Sequence, residues 1–186
     1  MPLEGKVIIV CGSPRRGNSE HVARRLQELL EGRAQVELVL LREKNIAPWR
    51  EGHENAKDDM PALLEKFRAA DAYLFVAPSY FGMPPGIMKN FMDRTDVYFG
   101  QQSEFSKKFA GIVSIGASPL GGGIEHNAEC IRNYFHALGI RTLDIVYLLG
   151  QERSEEILKK KDCLERLPPL VENLLEAVKR FSAKGE

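Results

Sequence analysis

The residues best suited to chemistry lie near the start of the chain, as Cys11-Gly12-Ser13-Pro14-Arg15-Arg16-Gly17-Asn18-Ser19. Short hydroxyls, an amide, two guanidinium groups and glycine-flanked backbone N–H groups meet what a phosphate needs. The need is best met where a helix begins, because its first N–H groups have no partner. Two further stretches have unusual chemistry. Pro78-Ser79-Tyr80-Phe81-Gly82-Met83-Pro84-Pro85-Gly86 places two aromatics and a methionine where a solvated loop would be polar. Gly116-Ala117-Ser118-Pro119-Leu120-Gly121-Gly122-Gly123 lets backbone approach a ligand closely. A loop for a phosphate and two loops for a flat, partly apolar ring describe a nucleotide-like cofactor.

The flanking pattern supplies elements that could bring the three loops together. Val7-Ile8-Ile9-Val10 reads as a strand buried on both faces. Val22, Ala23, Leu26, Leu29 and Leu30 then recur at helical spacing, with Gly32 as a stop. Val36 to Leu41, Tyr73 to Val76, Phe109 to Ile115 and Thr142 to Leu149 read as four more strands. Helices are expected over about Met60 to Ala70 (capped by Asp58 or Asp59), Gly86 to Arg94 and Ile124 to Leu138. A last helical region opens at Ser154 and runs to about 184, and Pro168-Pro169 should break or kink it. Strands alternating with helices predict an α/β three-layer sandwich, a parallel sheet with helices on both faces. In such sheets ligands bind beyond the carboxyl ends of the strands, where all three loops fall.

Composition narrows the class. The 186 residues suit one domain, spanning 1–186 without an internal repeat or linker, and 44% hydrophobic with 28% charged residues is ordinary for a globular protein. Twenty-six basic residues balance 26 acidic ones, which argues against nucleic acid as a partner. No apolar run approaches membrane-spanning length, and residues 1–6 lack a signal-peptide layout. Cys11, Cys130 and Cys163 are odd in number and not in metal spacing, so a cytoplasmic location is expected. His21, His126 and His136 are scattered and carry no metal or proton-transfer role.

The order Gly12-Ser13-Pro14-Arg15…Gly17-Asn18-Ser19, Pro78-x-Tyr80, Met88-Lys89-x-Phe91-x-Asp93-Arg94 and Gly121-Gly122 before a helix resembles the flavodoxin-like NAD(P)H-dependent FMN reductases, nearest the iron–sulfur flavoprotein branch. The resemblance runs from Lys6 to about Gly139. It implies a five-stranded sheet of order 2-1-3-4-5, bound FMN, and a homodimer or homotetramer with FMN near a subunit interface. It further implies that NADPH or NADH reduces the flavin and that a quinone, free flavin or other small acceptor reoxidises it. On this reading Ser13, Asn18, Ser19 and the amides around Gly17 bind the 5′-phosphate, with Arg15 adding charge. Pro78, Ser79, Tyr80, Phe81, Gly82 and Met83, with Ala117, Ser118, Gly121 and Gly122, border the ring. No catalytic side chain is nominated, since the cofactor carries the difficult step.

The chain departs from that branch where a compact cysteine cluster would precede Asp58-Asp59-Met60. Residues 46–57, which include Trp49 and His53, contain no cysteine, so no iron–sulfur cluster is expected. Trp49 stands on this polar loop of about 42–57 and either packs over the sheet, meets a neighbouring subunit or covers the flavin. The stretch Tyr98 to Phe105 reads as a second segment with exposed aromatics and a subunit contact. Asp93-Arg94 reads as a structural pair. Arg15, Arg16, Arg24 and Arg25 are candidates for selecting a 2′-phosphate, with a solvated basic face as the plainer explanation. Two alternatives share the sheet. A flavodoxin-type electron carrier would be strongly acidic, against the balanced charge here. A low-molecular-weight phosphatase would use Cys11 as nucleophile, but its arginine falls on Gly17, with Arg16 one short. A P-loop is absent, because residues 12–19 hold no Gly-Lys-Ser/Thr.

Overall fold

The computed structural model describes residues 5–117, 123–149 and 156–182. Five parallel strands, β1 (Lys6–Cys11), β2 (Gln35–Leu40), β3 (Ala72–Pro78), β4 (Phe109–Gly116) and β5 (Arg141–Leu149), form one sheet in the order β2-β1-β3-β4-β5. This is the expected flavodoxin-like order. Helices α1 (Asn18–Leu30), α2 (Met60–Ala69), α3 (Gly86–Asp93), α4 (Gln102–Phe105), α5 (Ile124–Ala137), α6 (Glu156–Lys159), α7 (Lys161–Leu164) and α8 (Leu167–Ser182) make the connections and the C-terminal cover. No described helix is long and apolar enough to cross a membrane.

Side chains alternate across β1 and divide the core in two. Val7, Ile9 and Cys11 join Val22, Leu26 and Leu30 of α1 and Leu170, Val171 and Leu174 of α8. Ile8 and Val10 join Leu63 and Phe67 of α2, Met88 and Phe91 of α3, and Ile131 and Phe135 of α5. Both faces of the central strands are dry, which is why their sequences run apolar without a polar interval.

The C-terminal region is broken as expected, and only the place is corrected. The chain divides into α6, α7 and α8 with a turn at residues 165–166, and Pro168 and Pro169 occupy the first turn of α8, where a missing N–H leaves no ladder bond unmade. Residues 154 and 155, expected to open that region, lie outside the described residues.

A second correction concerns the charges around α3. Arg94 does not pair with its neighbour Asp93, which instead binds Lys89 at 2.6 Å. Arg94 Nη1 donates to Asp58 Oδ2 at 2.6 Å, with the two side chains 4% and 1% exposed. Asp58 Oδ2 also accepts the Ala47 N–H, and its Oδ1 accepts the Met60 N–H at the start of α2. Asp58 thus does the capping, while Asp59 accepts the Asn45 N–H and makes no cap bond. Asn90 continues the seam, donating to the Ile46 carbonyl and accepting the Trp49 N–H. Trp49 Nε1 donates to Asp96 at 2.7 Å, and the indole tilts against His53. The 42–57 loop is therefore stitched to α3 and the turn that follows it.

The stretch after α3 is less exposed than expected. Tyr98 and Phe105 are buried around Phe67, and the Tyr98 hydroxyl donates to the Leu64 carbonyl. Phe99 and Val97 remain outside, Phe99 at 72% exposure.

Burial alone would raise the Asp58 pKa, but the Arg94 guanidinium and the two N–H donors outweigh it and hold it below the usual carboxylate range. A depressed folded pKa stabilises the native state above the unfolded value, about 3.9, and the contribution fades as pH falls through the folded value. Asp58→Ala, which strands a buried guanidinium, is expected to cost about 3–5 kcal/mol in urea unfolding at neutral pH. Asp58→Asn should flatten the acid limb of stability between about pH 5 and pH 2.

Candidate functional site

β1, β3 and β4 end at one edge of the sheet, and a cleft of about 470 Å³ opens there, within the usual range for a small-ligand site. Ser13, Arg15, Arg16, Gly17, Asn18 and Ser19 form one wall. Pro78, Ser79, Tyr80 and Phe81 form the second, and Ile115, Gly116 and Ala117 close the third. Of the residues expected to bind a cofactor, these loops bring together Ser13, Arg15, Gly17, Asn18, Ser19, Pro78, Ser79, Tyr80, Phe81 and Ala117. Gly82 and Met83 do not line the cleft. Ser118, Gly121 and Gly122 lie outside the described residues. Gly116 belongs to the third loop already singled out, and Ile115, the residue before it at the end of β4, was not anticipated.

The first wall is shaped by its own backbone. Ser13 Oγ donates to the Arg15 carbonyl at 2.7 Å and accepts the Arg15 N–H, which folds the loop on itself. Gly12 brings that loop hard against α3: a Cβ there would stand 2.7 Å from Met88 Cβ. Gly17 occupies the cap position of α1 and offers no side-chain cap. Gly17, Asn18 and Ser19, at the start of α1, line the cleft, and the cap position itself supplies no side chain, a place suited to an anion. Asn18 Oδ1 accepts the Ile157 N–H and ties this helix start to α6.

Charge is arranged to suit an anion. Glu20, in the first turn of α1, would repel one, but Arg24 and Arg42 bind it at 2.8 and 2.9 Å. Burial pushes the Glu20 carboxyl up, and the two guanidinium groups outweigh that and keep it ionised and paired. Arg25 is bound to Glu28. Of the four arginines considered for a 2′-phosphate, Arg24 and Arg25 are therefore committed to their own helix. Arg15 and Arg16 are exposed on the cleft, and their side chains make no hydrogen bond or ion pair with the described residues. Cys11 lies at the end of β1 with no exposed surface, and burial pushes its thiol up to about 11. Among the described residues no group of three or more His, Cys, Asp or Glu is placed to hold a metal.

The second wall is a tight hairpin. Tyr80 and Met83 exchange both backbone hydrogen bonds, at 2.9 and 3.0 Å. Phe81 and Gly82 between them have φ of +53° and +79°, the signature of a type I′ turn. Gly82 packs against Gly123, at the start of α5, so closely that a Cβ on Gly123 would fall 2.3 Å from Gly82 Cα. The turn after β3 and the start of α5 are in this way locked together by bare backbone. Gly123→Ala, which also meets a φ of +63°, should cost about 1–3 kcal/mol in urea unfolding. It should also loosen ligand binding at the cleft; an unchanged unfolding midpoint would show the contact to be dispensable.

Comparison with known proteins agrees with this geometry. A profile described as NADPH-dependent FMN reductase matches residues 5–154. An iron–sulfur flavoprotein of Methanocaldococcus jannaschii is 33% identical over 140 residues, covering 70% of this chain and 71% of the relative. One of Methanosarcina thermophila is 28% identical over 144 residues, covering 73% and 75%. RosB, solved with a bound 8-demethyl-8-formylriboflavin-5′-phosphate intermediate, superimposes with a TM-score of 0.77 at 17% identity, covering 100% of this chain and 82% of RosB. FerB, an NAD(P)H:acceptor oxidoreductase of Paracoccus denitrificans, gives 0.70 at 17%, covering 93% and 98%. The two structural likenesses show the fold, and the profile, matching most of the length, shows the family: the chain belongs to the NADPH-dependent FMN reductases.

Proposed function

We propose that this protein is an FMN-containing oxidoreductase that takes electrons from NADPH or NADH and passes them to a quinone, free flavin or other small acceptor. The observation that carries the reading is the convergence of the uncapped start of α1 with the Pro78–Phe81 and Ile115–Ala117 walls in a single cleft, in a chain of the FMN reductase family. The cleft fits the cofactor in size and in chemistry, with an anion site at one wall and an aromatic, backbone-lined slot at the others. Bound there, FMN would supply the two-electron chemistry, accepting a hydride from the nicotinamide and yielding two electrons with protons to the acceptor.

The chain's own residues then have positioning roles. Gly17, Asn18, Ser19 and the α1 amides hold the 5′-phosphate, and Ser13 keeps their loop in shape. Arg15 and Arg16 add positive charge that also serves an incoming phosphorylated nucleotide. Ser79, Tyr80 and the end of β4 border the ring, and the Gly82–Gly123 contact keeps the two ring loops in register. No side chain is needed as acid or base. The absence of cysteine from residues 46–57 supports an enzyme without an iron–sulfur cluster. Exposed Phe99, Val97 and Trp49 support assembly of two or four copies through the surface beside α3.

Purified protein reconstituted with FMN should show the absorption bands of oxidised flavin, and anaerobic NADPH should bleach them. Steady-state kinetics with a quinone should give parallel double-reciprocal lines, as expected when both substrates use one site in turn. Failure to take up FMN would overturn the reading. The phosphatase alternative predicts a reactive Cys11, and the buried, high-pKa thiol predicts the opposite. Alkylation of the native protein near neutral pH should label Cys130 and Cys163, both partly exposed, well before Cys11.

A further inference from the structure

Asn127 is a polar side chain where packing alone asks for none. It lies in the first turn of α5 with no exposed surface, on the face of the sheet packed with Ala77, Ile112 and Ile131. Its Nδ2 donates to Ser114 Oγ at 2.7 Å and to the Ala77 carbonyl at 3.3 Å. Ser114 Oγ donates in turn to the Ile124 carbonyl at 2.7 Å. The Ala77 carbonyl can only accept, so it fixes which end of the amide faces the strands. Asn127 Oδ1 is then left buried with no hydrogen-bond partner among the described residues. Such an oxygen costs stability, and apolar groups of the same shape would cover these strand ends without that cost. A core group that burdens the fold is best explained by the geometry it imposes.

That geometry lies next to the cleft. Ala77 and Ser114 face each other across β3 and β4. Ala77 precedes Pro78, where the second wall begins, and Ser114 precedes Ile115, where the third begins. Beyond them, the Ser79 N–H donates to the Ile115 carbonyl at 2.7 Å. Ile124 follows Gly123, whose backbone meets Gly82 of the turn. One side chain thus ties β3, β4 and α5 together just before they deliver the two walls. Apolar contacts have no direction and tolerate sliding, whereas hydrogen bonds fix both length and angle. Asn127 itself is not among the residues lining the cleft.

Resting on the flavin oxidoreductase reading, we infer that Asn127, acting with Ser114, is a positioning residue for the two ring-bordering walls. It sets the separation of Pro78–Phe81 from Ile115–Ala117, and with it the placement of a flat cofactor for hydride transfer. It touches neither cofactor nor substrate.

Substitution can separate geometry from stability. Ser114→Ala combined with Asn127→Val removes the polar groups at similar volume. Asn127→Thr, close to asparagine in size, keeps a single donor and serves if the double variant does not fold. Tyr73→Phe is the control, because it removes a buried hydrogen bond, from the Tyr73 hydroxyl to the Phe67 carbonyl, near the opposite end of β3. The urea midpoint of the apoprotein should be unchanged or raised in the double variant and lowered in Tyr73→Phe. The FMN-saturated double variant should show altered visible circular dichroism of the flavin. Its FMN dissociation constant should rise about tenfold, and bleaching by saturating NADPH should slow about tenfold or more. Asn127→Thr should fall between the double variant and wild type, and Tyr73→Phe should match wild type in all three measurements. Wild-type dichroism, FMN affinity and bleaching rate in the Asn127 variants overturn the inference and make the cluster part of the fold alone. Equal losses in Tyr73→Phe also overturn it, because they would follow from stability. A wild-type protein that takes up no FMN overturns the underlying functional reading. One that takes up FMN without being bleached by NADPH overturns only the nicotinamide half of that reading, and dichroism and FMN affinity then decide the role of Asn127.

Discussion

Val7, Ile9 and Cys11 on one face of β1, and Ile8 and Val10 on the other, have to be kept from water at the same time. A parallel sheet meets that demand only with crossover helices, each entered from the carboxyl end of the strand before it. The start of α1 is thereby held beside the ends of β1 and β3, and α5 begins where β4 and its loop deliver it. The convergence of a helix N-terminus with two backbone-rich loops is a consequence of covering the central strands. Glycine at 12 and 123 then sets how closely the pieces approach, since a single methyl group at either position would collide with its neighbour.

Stability and ligand chemistry are assigned to different parts of this arrangement. The start of α1 has no side-chain cap and the Phe81 turn is strained, both unfavourable locally and both at the cleft. The compensating order lies on the α2–α3 side, where the Asp58–Arg94 pair, Asn90 and Trp49 fasten a long polar loop against a helix. Relatives of this chain are iron–sulfur flavoproteins. In this chain the segment before Asp58 lacks cysteine and is fastened by carboxylate, guanidinium and amide groups.

Much of this was legible in the residues because it rests on short-range patterns. Four β-branched residues followed by Gly, Ser, Arg and Asn and then an amphipathic helix identify a strand, an anion loop and its helix within one window. What escaped was set by distance or by backbone angle. Arg94 adjoins Asp93 in sequence but finds Asp58, 36 positions earlier, because α3 presents it to the loop before α2. Tyr98 and Phe105 look like surface aromatics in an irregular stretch, and only the fold packs both against Phe67 and against each other. The left-handed turn at Phe81 leaves no mark in residue type, since phenylalanine is the wrong residue for it. Proline's tolerance at a helix start explains why Pro168-Pro169 could be read as a break and still open α8.

Trp49 is the only tryptophan in the chain. Its ring is half exposed, bonded through Nε1 to Asp96, and set against an imidazole. The molecule therefore has a single native fluorophore, placed on the seam between the 42–57 loop and the end of α3. Its emission wavelength and intensity register the state of that seam with no contribution from another indole. Detachment of the loop can then be followed optically in the unlabelled protein, separately from events in the cleft.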